Sequence, residues 1–123
     1  MAGMVPFAWD DPFNLDDQLT EEERMIRDAA HAFAQGELQP RVIENFSNEV
    51  DDPELFPMMG EAGLLGATVP EEYGGVEMGN LAMILTTEEL SRASLAAAGS
   101  LITRPEILTK ALMGGGTEEQ KQT

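Results

Sequence analysis

The sequence contains no cysteine, and its cationic residues are few. Without cysteine the chain can form neither a disulfide framework nor a thiolate metal site. Seven Lys and Arg stand against 23 Asp and Glu, which gives a formal net charge of −16. Such a surface repels phosphate backbones and anionic lipid, so the composition argues against nucleic-acid and membrane-surface partners.

Long apolar runs are also missing. No stretch approaches the roughly 20 consecutive apolar residues of a membrane-spanning helix. The amino-terminal sequence MAGMVPFAWDDPFNL lacks the basic region and the apolar core of a secretory signal peptide. We therefore expect a cytoplasmic protein with no membrane partner.

The length and the hydrophobic content fit one small domain. A chain of 123 residues is an ordinary domain size, and a hydrophobic content of 42% allows a real core. Residues 1–18 have the pattern of an extended arm, because Phe7, Trp9 and Phe13 alternate with proline and aspartate. We expect these aromatic side chains to pack on a helical body formed by residues 19–123.

Helix signals begin directly after the arm. Thr20 is a good N-cap, and three glutamates follow it in the first turn, where the helix dipole favours negative charge. This helix should end or bend at Gly36 and Pro40, and a second short helix should start at Pro40. The apolar stripe of the first helix consists of Met25, Ile26, Ala29, Ala30 and Phe33.

The second half of the chain carries three further signals. Asn80 is predicted to cap a strongly apolar helix that is buried on several sides. The stretch from 95 to 113 is first rich in small residues, then apolar, and is predicted to turn at Arg104 and Pro105. Thr117 and Gln120 have the spacing of a capping box and predict the start of a last helix.

The titratable residues give little support for catalysis by this chain. His31 has no cysteine or second histidine as a partner, so a surface position is the simpler interpretation than a metal ligand or a base. Glu88 and Glu89 are adjacent, but neighbouring helical residues point about 100° apart and do not converge on one atom. We expect a structural role for the pair, with one of them bound to Arg92.

Residues 62–75 read AGLLGATVPEEYGG and are the most informative segment. Gly63 and Gly66 permit a positive φ angle or a close backbone approach. Tyr73 precedes the Gly74–Gly75 pair and has the place of an aromatic anchor for a turn that bulkier residues would not permit. On its own, the segment predicts a structured connector between two helical blocks.

The segment GLLGATVPEEYGG is similar to the one that marks the amino-terminal helical domain of the acyl-CoA dehydrogenase flavoproteins. The early blocks most resemble glutaryl-CoA dehydrogenase-like members. The resemblance implies an all-α, up-and-down helical domain of about five to six helices. Further similar blocks stand in the family's order: LTEEERMIRDAAHAF (19–33), LQPRV (38–42), TEELSRAS (87–94) and GTEEQKQ (116–122).

Members of this family have a helical amino-terminal domain, a β domain that holds much of the FAD, and a carboxy-terminal four-helix bundle. In the family, a carboxylate base takes the α-proton of an acyl-CoA, the flavin accepts the β-hydride, and the electrons pass to an electron-transfer flavoprotein. The base and most flavin contacts lie outside the first domain. The resemblance therefore implies a homo-oligomeric enzyme, with no catalytic residue, bound FAD or activity in this chain alone.

The resemblance also places the wall of an acyl cavity on the helix after Arg92. A gapless count puts Ala98, Gly99 and Ile102 at wall positions, and the little side-chain bulk from Ala96 to Gly99 either lets another element approach closely or leaves space for a ligand. Relatives that bind a dicarboxylic acyl group carry Arg and Ser in place of the first two and Ser in place of the third. We therefore expect an uncharged acyl group, unless Arg104 supplies a cation instead of pairing with Glu106.

Two other functions are compatible with parts of the sequence. The chain stops about one turn into its last helix, which is the pattern of a domain truncated at its carboxy-terminal end. Such an orphan domain could act only in self-association or assembly. A four-helix adaptor unrelated to enzymes is disfavoured by the number and order of the similar blocks.

Overall fold

The computed structural model describes residues 6–122, apart from the side chains of residues 104 and 105. Regular structure in this range is helical throughout, which confirms the all-α prediction. Single 3₁₀ turns lie at Asp16–Gln18 and Glu71–Tyr73. The α-helices are α1 (Glu21–Phe33), α2 (Gln39–Asn48), α3 (Leu55–Glu61), α4 (Gly79–Ala93), α5 (Leu95–Leu101), α6 (Thr109–Gly115) and α7 (Glu118–Gln122).

The start of α1 confirms the N-cap prediction. The hydroxyl of Thr20 accepts the backbone N–H of Glu23 at 3.2 Å, and the Glu23 carboxylate accepts the backbone N–H of Thr20 at 2.7 Å. These reciprocal bonds satisfy two backbone donors that the first turn of a helix leaves free. The bond from the Thr20 backbone lowers the pKa of Glu23.

Two π-helical segments join α-helices into longer rods. The first π segment (Ala34–Leu38) joins α1 to α2, so the chain stays helical through Gly36 and the helix does not end there. The second π segment (Ile102–Leu108) joins α5 to α6, so the predicted turn at Arg104 and Pro105 is wrong. Proline cannot donate to the α-helical hydrogen-bond ladder, but a π turn already displaces that ladder and lets the rod continue.

The core lies where α1 packs on α4 and α4 packs on α5. Alanines on all three helices allow close approach, while Met59 of α3 fills the space beside them and is fully buried. The predicted stripe of α1 is only partly internal, since Met25 is 66% exposed. The main buried cluster comprises Ala30, Ala34, Leu38, Met59, Leu64, Leu90, Ala93, Ala97, Ala98 and Leu101.

The aromatic residues of the arm do not pack on this body, so that prediction is wrong. Phe7, Trp9 and Phe13 are all exposed, and the rings of Phe7 and Trp9 contact only one another among the described aromatics, edge to face at 5.0 Å. The chain turns at Asp11, whose carboxylate accepts the backbone N–H groups of Leu15 and the residue that follows. Phe13 lies within this turn, while Phe7 and Trp9 precede it.

The prediction for the start of α4 is wrong in two respects. The helix begins at Gly79, so Asn80 lies inside the first turn and caps nothing. The backbone N–H groups of Met78 and Gly79 both donate to the carbonyl of Ala67, which fixes the helix start without a side-chain cap. The predicted burial of α4 on several sides is also wrong, because its first turns expose the large apolar side chains of Leu81 and Ile84.

Candidate functional site

The glycine loop, residues 62–78, is folded tightly because three of its glycines adopt the left-handed conformation. Gly63, Gly66 and Gly74 have φ angles of 70°, 74° and 83°. At Gly75 a Cβ atom would lie 2.0 Å from the carbonyl oxygen of Val69, a distance that no side chain can occupy. The positive φ angles predicted as one possibility for Gly63 and Gly66 are confirmed, and the close backbone approach occurs at Gly75, in the glycine pair that was predicted to exclude bulkier residues.

Tyr73 anchors the glycine loop to the last helix. Its hydroxyl donates to Oε2 of Glu118 at 3.0 Å, and Nζ of Lys121 binds the other oxygen of the same carboxylate at 2.8 Å. The hydrogen bond from Tyr73 to the anionic Glu118 raises the pKa of the phenol. Lys121 and then Tyr73 lower the pKa of Glu118. The sequence predicted the anchor but not its partner, which lies 45 residues away.

A second link ties the glycine loop to the second π segment. The hydroxyl of Thr68 donates to Oε2 of Glu106, whose side chain is 4% exposed. Nζ of Lys110 lies 3.8 Å from the same oxygen and 3.0 Å from Oδ1 of Asn80. We call these four residues the polar bracket. Sequence reasoning named Glu106 only as a partner for Arg104, whose side chain lies outside the described residues.

The predicted wall residues fall on two sides of the rod formed by α5, the second π segment and α6. Ala98 is buried in the core, with 1% of its surface exposed. Gly99 has open space above it, since an added Cβ would meet no atom within 4 Å. Ile102 follows one turn later and is 37% exposed. The rod therefore presents Gly99 and Ile102 on one open face, with Ala98 behind them.

Two clefts lie elsewhere on the described part of the chain, and neither includes a wall residue. The larger, of about 750 Å³, runs between α2 and the start of α5, and its lining includes apolar side chains such as the exposed Phe46. Its rim carries Glu49, Asp51 and Asp52. The smaller, of about 370 Å³, lies between the glycine loop and α6. Arg41 also lines the larger cleft but is paired with Asp52, so the acidic groups that remain disfavour the pyrophosphate of FAD there.

His31 joins α1 to α4 through a buried carboxylate. Its Nδ1 atom lies 2.8 Å from Oε2 of Glu89, which is 5% exposed, while the imidazole itself is about half exposed. Arg92 binds Glu88 at 3.1 Å and approaches Oε1 of Glu89 at 3.6 Å. The predicted pairing of the glutamates with Arg92 is confirmed. The contact with His31 escaped the sequence because it spans 58 residues and depends on helix packing.

Other kinds of site receive no support from the described residues. Within positions 6–122, no group of His, Asp and Glu side chains has the arrangement of a metal site. Across the same positions, no helix has both the length and the apolar character needed to cross a membrane. The remaining candidate features are the open face of the rod at Gly99 and Ile102, the glycine loop, and the polar bracket between them.

Comparison with known proteins places this arrangement in a family. The model of the acyl-CoA dehydrogenase amino-terminal domain matches residues 20–123. (2S)-methylsuccinyl-CoA dehydrogenase of Cereibacter sphaeroides is 38% identical over 104 residues, which are 84% of this chain and 19% of that protein. Mitochondrial isovaleryl-CoA dehydrogenase of Pongo abelii is 37% identical over 106 residues, which are 85% of this chain and 25% of that protein.

A solved structure gives the same result for the fold. A chain in the structure of the electron transferring flavoprotein of Acidaminococcus fermentans superposes with a TM-score of 0.80 at 40% identity, covering 85% of this chain and 27% of that one. An all-α domain with this glycine loop is the amino-terminal type found in flavin-dependent dehydrogenases. The chain belongs to the acyl-CoA dehydrogenase family, and it spans about a fifth to a quarter of the relatives' length.

Proposed function

We propose that this chain is the amino-terminal domain of an FAD-dependent acyl-CoA dehydrogenase, where it forms one wall of the acyl cavity. Membership of the family supports the reaction, the α,β-dehydrogenation of an acyl-CoA thioester. One observation supports the location of the wall: the open space above Gly99, one turn before the exposed Ile102. A cavity wall needs such a surface, because the acyl chain must lie against it without displacing core residues.

The contribution of this chain is to position the acyl group and to exclude water from it. We assign no catalytic residue to it, because its carboxylates are engaged in structural links or lie at the surface. FAD supplies the redox chemistry in this family. By the resemblance to the family, the base and the cofactor site belong to the remainder of the enzyme.

We further propose an uncharged acyl group. Ala98, Gly99 and Ile102 offer no cation, and an unpaired carboxylate buried against them would cost several kcal/mol, on the order of the penalty for one desolvated ion. The names of the relatives include both an uncharged and a dicarboxylic acyl group, isovaleryl and methylsuccinyl. Arg104 is the residue of the proposed wall region that could change this preference, because it is a cation two positions after Ile102.

The partners proposed for the complete enzyme follow from the family. They are an acyl-CoA substrate, an electron-transfer flavoprotein as electron acceptor, and further copies of the same chain in a homo-oligomer. The structural match to the Acidaminococcus structure supports the second of these. We retain the absence of nucleic-acid partners as a proposal that rests on the acidic composition, and a cytoplasmic location as the expectation stated from the sequence.

A chimeric enzyme tests the proposal. Residues 1–123 would replace the matching segment of isovaleryl-CoA dehydrogenase, and oxidation of acyl-CoA would be followed with a dye as electron acceptor. Gly99→Leu should fill the open space and lower kcat/KM for isovaleryl-CoA by about tenfold, a loss typical of one or two displaced methylenes. Flavin content should stay unchanged. Gly36→Leu, at an equally open helical glycine away from the rod, is the matched control.

The outcomes separate the parts of the proposal. Full activity of Gly99→Leu would contradict the location of the wall. Oxidation of glutaryl-CoA as fast as of a straight-chain acyl-CoA would contradict the uncharged substrate, and loss of that activity in Arg104→Gln would assign the cation. A parent chimera that binds FAD but oxidises no acyl-CoA would contradict the proposed reaction.

Exposed apolar side chains favour one alternative function. Ile84 of α4, Ile107 of the second π segment and its neighbour Leu108 are each more than half exposed. Patches of this kind mark surfaces that other protein covers. If the chain acts alone as an assembly module, it should elute in size-exclusion chromatography as a colourless dimer or larger species. A yellow, active oligomer of the complete enzyme would support the dehydrogenase instead.

A further inference from the structure

Glu106 stands out because it is a charged residue in the interior of the second π segment. Its side chain is 4% exposed, and its Oε1 atom is fully buried with no hydrogen-bond partner among the described residues. Buried polar atoms in folded proteins are nearly always hydrogen-bonded, so an unsatisfied carboxylate oxygen calls for a specific reason. An apolar side chain would fill the same space without this penalty.

The other carboxylate oxygen makes the hydrogen bond of this side chain to the described residues. Oε2 accepts a hydrogen bond from the hydroxyl of Thr68. This residue lies in the glycine loop, 38 residues before Glu106. Lys110 contributes less, because its Nζ atom is 3.8 Å from Oε2 and is already bound to Asn80 at 3.0 Å. The hydrogen bond with Thr68 therefore defines where this carboxylate lies.

Thr68 is a rigid anchor for such a bond. The preceding carbonyl, that of Ala67, accepts the backbone N–H groups of Met78 and Gly79 at 2.8 and 3.2 Å, which fixes the loop to the start of α4. Glu106 in turn lies four residues after Ile102, about one turn along the same π segment. The link thus joins a fixed loop to the segment that carries the exposed face of the rod.

We infer that Glu106 is a positioning residue, which holds the second π segment against Thr68 and thereby sets the placement of Gly99 and Ile102. This inference rests on the proposed function, because it concerns the wall of the acyl cavity. The hydrogen bond performs the positioning, and the negative charge is not required for it. Glu106 touches neither substrate nor cofactor in this role.

Four variants separate the hydrogen bond from the charge. Thr68→Val removes the hydroxyl while keeping the shape of the side chain, and Glu106→Leu removes its acceptor. Thr68→Ser keeps the donor, and Glu106→Gln keeps a carbonyl acceptor while removing the charge. In the chimera, the first two should change the ratio of kcat/KM for isovaleryl-CoA and butyryl-CoA by about tenfold, since coupled neighbours reach interaction energies of that size.

The double variant Thr68→Val, Glu106→Leu should shift the ratio no further than either single variant, and FAD content should not change. Thr68→Ser and Glu106→Gln should keep the ratio of the parent within about twofold. A ratio that stays constant while thermal stability falls would show a merely structural role and overturn the inference. Additive shifts in the double variant, or a shift with Glu106→Gln alone, would also overturn it.

A second measurement keeps the inference testable if the parent chimera oxidises no acyl-CoA, which would contradict the proposed function alone. In the 123-residue chain, amide hydrogen exchange reports local opening of the second π segment. Thr68→Val and Glu106→Leu should accelerate exchange there by the same factor, with no further gain in the double variant. Unchanged exchange in Thr68→Val would overturn the inference.

Discussion

At the scale of single residues, Gly75 shows how little space the glycine loop leaves. Its Cα hydrogen points at the carbonyl of Val69, and a methyl group in that place would overlap the oxygen at 2.0 Å. The backbone N–H of Gly75 donates to the carbonyl of Pro70, and that of Glu77 donates to the carbonyl of Val69. Neither side of the loop can therefore move away from the other without losing a hydrogen bond. The loop can close only because residue 75 is a glycine, which carries a hydrogen atom in place of a Cβ.

Gly75→Ala should therefore destabilise the domain by about 3 kcal/mol, the upper range for overpacking in a site that cannot relax. Gly74→Ala is the matched control: Gly74 has a φ angle of 83° but no atom within 4 Å of an added Cβ. It should cost only about 1–2 kcal/mol, the strain of a left-handed non-glycine residue. Urea unfolding followed by circular dichroism measures both, and equal losses would contradict the overlap.

Residue-scale prediction from sequence succeeded where the cause is local. The glycines of the loop, the Thr20 cap and the Thr117–Gln120 capping box each depend on neighbours within a few positions, and all three were confirmed. The Asn80 cap prediction was wrong because the loop bonds at Ala67 start the helix two residues earlier. The bond between His31 and Glu89 could not be foreseen, since it exists only after α1 has packed on α4.

At the scale of elements, Arg41 connects α2 to the segment before α3. Its Nη1 atom lies 3.0 Å from Oδ2 of Asp52, and the other oxygen of that carboxylate accepts the backbone N–H of Glu54 at 3.1 Å. The hydrogen bond with Arg41 is the main reason that the pKa of Asp52 is lowered from its ordinary value of 3.8. The connection therefore depends on the ionised carboxylate.

The pH dependence follows from the direction of that shift. Because the folded pKa lies below 3.8, the unfolded chain binds this proton first as the solution is acidified. The stabilisation is fully present above the unfolded value and is lost as pH falls through the folded value. Asp52→Asn should lower stability at neutral pH and lose less stability between about pH 5 and pH 3 than the parent.

The neighbouring exposed residue provides the control for that prediction. Asp51 has no ion-pair partner among the described residues, so Asp51→Asn should leave both the neutral stability and its decline with acid close to those of the parent. Thermal unfolding at several pH values supplies the comparison. A parallel decline in Asp52→Asn and the parent would show that the Arg41 pair does not couple folding to this proton.

Helical elements were predictable in kind, but their continuity was not. The helical period and the caps locate most helices, whereas the sequence predicts boundaries at Pro40 and Pro105 because proline interrupts an α-helix. In the structure both lie in continuous rods, Pro40 in the first turn of α2 and Pro105 within the second π segment. A π turn has no short sequence signature, since it arises from how the rod packs on its neighbours.

At the scale of the whole molecule, excess negative charge opposes folding. A net charge of −16 on 123 residues creates self-repulsion that the compact state concentrates. Added salt screens charges beyond about 10 Å at 0.1 M. The ion pairs of the described residues are mostly between partly exposed side chains, and such pairs contribute little that salt could remove.

Raising NaCl from about 0.02 M to about 0.5 M should therefore stabilise the domain by about 1 kcal/mol and raise Tm by about 4 °C, the shift expected for a domain of this size. Differential scanning calorimetry at low protein concentration separates this effect from self-association. A Tm that falls as salt increases would show that the ion pairs outweigh the self-repulsion.

The whole-molecule surface explains why only part of the site could be predicted. A resemblance in sequence located the wall on the rod, and the open space at Gly99 supports that proposal. The prediction that α4 is buried on several sides was wrong, because Leu81 and Ile84 are exposed. An apolar sequence pattern does not reveal whether the residues that cover it belong to the same domain. The role of Glu106 was missed because burial of a carboxylate leaves no trace in the local sequence.

The number of residues in the second π segment also affects how the rod beyond it is oriented. Each residue of an α-helix turns the chain by about 100°. A π turn holds about one residue more than an α turn, so deleting one residue between Ile102 and Leu108 would give an ordinary α-helix and leave everything beyond at nearly its present angle. Lys110 would keep its contact with Asn80, and Glu118 its contact with Tyr73. Deleting one residue from α6 would instead rotate everything after it by the full angle, so the rod tolerates the loss of a residue in the π segment but not in α6.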